Sequence, residues 1–254
     1  MKSNYQYDLL YGKSVEFERN VWIKVPTVEE VVYNENFDLY TTIFTLTTRE
    51  LFQTQRNLEE LVKKYPNLWS IMMDQEADNY IGGVFHEKKS VSMILMEALH
   101  YWTGLSLDGD GGFHKHLNGK FVHVDSEWVF DYNTYKEFGD VIKEIIYFEP
   151  NEDLPPLITS DARYDSWMKT YEGRMKKRQK NAQTWADRII ALSISASAYI
   201  PIEEIRKMSI YHFYKLFKAL ASKEAYETKL QYQLSPKYES DKHRLTHWRD
   251  TLNR

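Results

Sequence analysis

Residues 90–125 read SVSMILMEALHYWTGLSLDGDGGFHKHLNGKFVHVD, and two different apolar periods lie side by side in them. Val91, Ile94, Leu95, Ala98, Leu99 and Trp102 recur at three and four, the spacing of one helix face, while Met93 and Met96 make the opposite side apolar too. A helix of that kind belongs in a core. Five of the ten glycines then fall between Gly104 and Gly119, and Asn118-Gly119 separates FHKHL from KFVHV, the signal of a two-residue hairpin turn. A core helix followed at once by an antiparallel hairpin predicts an α+β fold.

Outward from this stretch the pattern becomes mostly helical. Upstream, VEFERNVWIKV (residues 15–25) alternates β-branched and aromatic residues with charges, which predicts one or two short strands ended by Pro26. Thr27 and Glu30 form a capping box for a short helix with Val28, Val31 and Val32. Thr48 is the expected cap of the next helix, which carries Leu51, Leu58, Leu61, Val62 and Tyr65, pairs Glu59 with Lys63 and Glu60 with Lys64, and stops at Pro66. Downstream, a helix is expected from about Asn133 to Phe148, with Phe138, Val141, Ile142 and Ile145 inward. The segment EPNEDLPP (residues 149–156) then sets a boundary. Beyond it the sequence reads as helix, interrupted near Asn181 and restarted by Ser209 ahead of IYHFYKLFKAL, and the last twenty residues are a polar tail. The expected architecture is predominantly helical α+β: a mixed part over 1–153 with a small antiparallel sheet and hairpin, and a basic all-helical part over 154–254.

Composition narrows the function. Cysteine is absent from the 254 residues, which excludes thiol nucleophiles, thiolate metal sites and disulfides. Residues 1–160 carry 14 Lys and Arg against 26 Asp and Glu, and residues 161–254 carry 19 against 11, so net charge runs from −12 to +8 along the chain. That split suggests two parts with different partners, or two parts that attract each other. No apolar run approaches the roughly 18 residues of a spanning helix, and the N-terminus lacks a signal-peptide apolar region. A soluble, unprocessed cytoplasmic protein with no membrane partner is expected.

Few residues suggest chemistry. A two-residue turn at Asn118-Gly119 would set His114 opposite His123 and put His114, His116, Phe121, His123 and Asp125 on one face. Three imidazoles there would resemble a three-histidine zinc set; the alternative is a solvent-facing row of histidines. Asp108-Gly-Asp110-Gly-Gly fails the calcium-loop spacing and reads as a turn. No serine-nucleophile, phosphate-loop or dinucleotide fingerprint is present, so neither catalysis nor a cofactor is expected. Arg174, Lys176, Lys177 and Arg178, with Lys180, form the densest basic run, flanked by Tyr171 and Trp185; the plain reading is a solvated helix face, the sharper one nucleic acid, against which the missing base-reading motif argues, and the third an acidic protein surface, including the first part of this same chain. Ile210, Phe213, Tyr214 and Phe217 form an apolar stripe that either packs in its own bundle or meets a partner helix. With 15% aromatic residues in a hydrophilic chain, a binding protein is favoured over an enzyme.

The order of these segments is similar to that of a group of tailed-phage proteins. It comprises a strand pair, the Pro-Thr-capped helix of IKVPTVEEVVYNENFDLY, a helix ending in Tyr-Trp-Thr-Gly, a hairpin, YNTYKEFGDVIKEII, and a helical tail containing IPIEEIRKMSIYHFYKLFKAL. The chain resembles phage tail assembly chaperones or related tail morphogenesis proteins, most closely over Ile202–Leu220. The resemblance implies a non-enzymatic factor of the host cytoplasm that engages a phage structural protein, such as the tape measure or tail tube protein, until the tail is built. Ile210, Phe213, Tyr214 and Phe217, with Arg174, Lys176, Lys177 and Arg178, are the expected contact residues, and self-association is a second expected mode. The rival readings are a structural subunit of the virion tail or connector, and a metal-dependent enzyme built on His114, His116 and His123.

Overall fold

The computed structural model describes residues 5–86, 88–116, 119–150, 154, 160–180, 182–195, 199–234 and 247. In chain order its elements begin with α1 (Tyr5–Leu10), β1 (Val15–Glu18), β2 (Val21–Ile23), α2 (Val28–Tyr33), α3 (Phe37–Thr45) and α4 (Thr48–Leu51). There follow α5 (Leu58–Lys64), α6 (Leu68–Met73), α7 (Gln75–Phe85), α8 (Val91–Thr103), β3 (Phe113–Lys115), β4 (Phe121–His123) and β5 (Trp128–Phe130). The chain continues with α9 (Tyr132–Ile145), α10 (Asp161–Lys180), α11 (Trp185–Ser195), α12 (Ile202–Lys207) and α13 (Ile210–Leu234). The fold is predominantly helical α+β, with one two-stranded and one three-stranded antiparallel sheet. Two compact units share these elements, and each is discontinuous in sequence: one comprises Met1–Lys13, Pro26–Tyr33 and Gln183–Arg254, the other Ser14–Val25 and Asn34–Ala182. The 149–156 segment lies largely outside the described residues.

In the larger unit, α8 forms the floor of the core. Its Val91, Ile94, Leu95, Ala98, Leu99 and Trp102 are all fully buried, as the spacing predicts, and Gly104 closes it in the left-handed conformation at φ 71°. The α3 helix packs against both α8 and α9, and the Trp102 indole donates to Tyr40 O at 3.2 Å. Aromatic rings fill the space between α9 and the three-stranded sheet: Trp69 meets Phe121 at 5.6 Å, Trp128 meets Phe130 at 5.1 Å, and Phe17 meets Phe138 at 5.2 Å. The segment expected as one helix from Thr48 is instead two, α4 and α5, and its cap is Thr47, whose side chain and backbone make a reciprocal box with Glu50. The Glu59–Lys63 pair forms at 2.8 Å, whereas Lys64 reaches Asp74 at 3.6 Å.

The smaller unit gathers three stretches around α13. Leu9, Val28, Leu192, Ile205, Ile210 and Phe213 are buried in it. Ser209 ties these stretches together. It caps α13 by accepting from His212 N–H at 3.1 Å, its Oγ donates to Leu9 O at 2.8 Å, and Thr27 bridges to it across the chain. On either side of that bridge, Ile210 N–H donates to Pro26 O at 2.8 Å and Val28 N–H to Met208 O at 2.9 Å. The Thr27–Glu30 capping box forms as the sequence predicts, and Arg206 pairs with Glu29.

Candidate functional site

The histidine hairpin differs from its expected register by one residue. Phe113 pairs with His123, His114 with Val122 and Lys115 with Phe121. The reason lies in the turn. His116 N–H donates to Lys120 O and Gly119 N–H to His116 O, so the ladder closes over a three-residue connection with Gly119 at φ 76°, the left-handed position such a loop requires. A one-residue slip sends alternate side chains to the other face. His114 and His116 are therefore exposed while His123 is buried, and the three imidazoles do not converge. His123 has a packing role instead. Ser126 N–H donates to its Nδ1 at 3.2 Å, which leaves the Nε2 proton to meet Ser106 Oγ at 3.0 Å, and Phe113 packs edge-on at 4.8 Å. Among the described residues no group of three or more histidines and carboxylates is placed to hold a metal ion.

The apolar stripe of α13 faces its own unit. Ile210 and Phe213 are 0% exposed, and Trp185 of α11 lies 5.8 Å from the Phe213 ring and 6.1 Å from Tyr214. Phe217 stacks on Phe213 at 6.1 Å, and both Tyr214 and Phe217 are half-buried. Ile210 and Phe213 thus pack inside their own unit, the first of the two alternatives for this stripe. Phe213→Ala is expected to cost about 3–5 kcal/mol of stability, the usual range for emptying a buried aromatic position. A thermal melt reads it directly, and an unchanged midpoint would contradict this packing role.

Arg174, Lys176, Lys177 and Arg178 have the opposite environment. All four lie exposed in the second half of α10. This helix has twenty residues and none of its described side chains is buried. Its first turn is tethered: Arg56 pairs with Asp161 at 2.8 Å and Asp165 at 3.3 Å, its guanidinium lies 4.9 Å from the Tyr164 ring centre, and the Tyr164 hydroxyl donates to Thr54 O. One turn further, Trp167 and Tyr171 stack on each other at 4.9 Å with an interplanar angle of 21°. Two large aromatic rings and a dense cationic run at the surface of one helix suit a protein contact, in which aromatic and arginine residues carry most of the energy.

One polar cluster escaped the sequence reading. Asp78 of α7, 5% exposed, accepts from Ser92 N–H and from Ser92 Oγ, each at 2.7 Å. Lys115 of β3 donates to Asp78 Oδ2 at 3.1 Å, to Ser92 Oγ at 2.9 Å and to Met72 O. The carboxylate and the ammonium are satisfied by one another and by the backbone, which marks the cluster as a clamp joining α6, α7, α8 and β3. Asp78 stands among Gln75, Glu76 and Asn79, so nothing local marks it or names its partner 37 residues away.

Residues 173–253 match the family model described as the YomV second domain, a phage-derived family. The match takes in the cationic half of α10 and the helices α11 to α13, and it points to a phage protein. Neither a curated protein nor a solved structure matches the chain. No helix among the described residues is long and apolar enough to cross a membrane.

Proposed function

We propose that this chain is a non-enzymatic phage protein that binds a structural protein of the tail, the tape measure or a tube subunit, during assembly in the host cytoplasm. The observation that carries the proposal is α10: stacked Trp167 and Tyr171 beside Arg174, Lys176, Lys177 and Arg178, on a helix with no buried side chain among those described. The half-buried aromatics leave a partner apolar area to cover, and the cations steer it. Binding to an unassembled subunit holds that subunit back from premature contacts by mass action. The match to a phage-derived family supports the phage setting, and the tail-protein resemblance supports the choice of partner.

Co-expression tests the proposal. The tagged chain should retain a tail structural protein encoded beside it, and the double variant Trp167→Ser, Tyr171→Ser should retain at least about tenfold less, since two interface aromatics each contribute on the order of 1–2 kcal/mol or more. Neither substituted side chain is in the buried core, so circular dichroism of the variant should match the unaltered chain. If the unaltered chain retains no tail protein, or the variant retains as much, the proposal fails.

A further inference from the structure

We infer that the occupant of α10 is an acidic amphipathic α-helix of another protein, an inference that rests on the proposed binding role of this helix. At 100° per residue, Tyr164, Trp167, Met168, Tyr171 and Met175 fall within an arc of roughly 100°, the width of a helix-packing stripe. These five are the half-buried positions of α10, and the remaining described ones are exposed. Tyr164 is held by the tether to Arg56 and Thr54, so the stripe available to a partner starts at Trp167. Its spacing of three and four residues is the a/d spacing that a second helix follows over several turns.

Charge selects the occupant. Arg174 and Arg178 extend the same stripe beyond Tyr171, while Lys169, Lys176 and Lys180 lie on the far side; the helix holds seven basic residues against three acidic ones. A second copy of α10 laid on this face would bring like charges together, which is repulsive. A helix with glutamates flanking an apolar seam meets both features at once, as charged residues flank the a/d seam of paired helices. Nucleic acid fits less well, because the flat faces of Trp167 and Tyr171 are turned on each other at 4.9 Å instead of standing open for a base.

The test uses the full chain and a fluorescein-labelled three-heptad peptide with Leu at a and d and Glu at e and g. Two controls accompany it: a scrambled peptide of identical composition, and oligothymidylate. Anisotropy should show binding of the seam peptide at least tenfold tighter than of either control. That binding should weaken at least tenfold in Trp167→Ser, Tyr171→Ser and in Arg174→Glu, Arg178→Glu, and should weaken with added salt. Equal binding of the scrambled peptide or of oligothymidylate, no binding of the seam peptide, or unchanged binding by either variant overturns the inference. If the seam peptide fails while the co-expressed tail protein is still retained, the inference falls and the wider proposal stands; if the tail protein is not retained either, both fall.

Discussion

Residues 173–254 produced alone are expected not to fold, although they span the whole stretch that matches a family model. Of these, Gln183–Arg254 belong to a unit that is completed by α1 and α2. Removing residues 1–33 strips away Leu9, Val28 and Val31, all buried, each worth about 1.5–3 kcal/mol of apolar burial. That loss alone takes most of the roughly 5–15 kcal/mol by which a domain is stable. It also orphans the Ile210 N–H that now meets Pro26 O, the Met208 carbonyl that accepts from Val28, and the Ser209 hydroxyl that donates to Leu9 O. Unpaired buried polar groups add a further penalty of about 1–3 kcal/mol each. Circular dichroism on heating checks this: the fragment should lack a cooperative transition that the full chain shows, and a sharp melt of the fragment would contradict the discontinuous unit.

Asp78→Ala should be the most damaging single polar substitution among those considered, with a loss near the lower end of the 3–5 kcal/mol typical of breaking a buried ion pair. The lower end applies because the Lys115 side chain keeps 32% of its surface, so water screens part of the charge left behind. Ser92 would lose both its partners on Asp78 at the start of α8, the floor of the core. Lys115→Met alone leaves a buried carboxylate without its cation, and the pair Asp78→Ala with Lys115→Met should cost less than the two losses added, since neither charge then remains stranded. Urea unfolding of the three variants measures the coupling. Strict additivity, or a loss under about 1 kcal/mol for Asp78→Ala, would contradict the clamp.

What the sequence discloses here follows from how local each cause is. The buried face of α8, the Thr27–Glu30 box, the Ser209 cap and the helix break between Lys180 and Trp185 all depend on residues within one or two turns of each other, and each is legible. The hairpin at Gly119 is legible as a hairpin but not in register, because a glycine in the left-handed conformation closes two- and three-residue loops alike. The slip matters for chemistry: it separates His114 and His116 from His123 and dissolves the metal-like face. The role of Phe213 was ambiguous for a different reason. An amphipathic stripe has the same spacing whether it packs on its own bundle or on a partner, and only the positions of Trp185, Leu9 and Val28 decide between them. The joining of residues 5–13 and 26–33 to α13, and the Asp78–Lys115 clamp, depend on contacts far apart in sequence, which no local pattern encodes.

If α10 is the surface lent to another protein, its backbone should respond to that protein more than any other element does. Without a partner, the amide hydrogens of Trp167–Lys180 should exchange quickly, because no described side chain of the helix is buried and its hydrogen bonds are open to water. Hydrogen exchange of the full chain, alone and with the tail protein it retains, compares these amides directly. Protection that rises across Trp167–Lys180 on binding, and changes little in α8, is the expected result; α10 amides that exchange at the same rate in both states would contradict it.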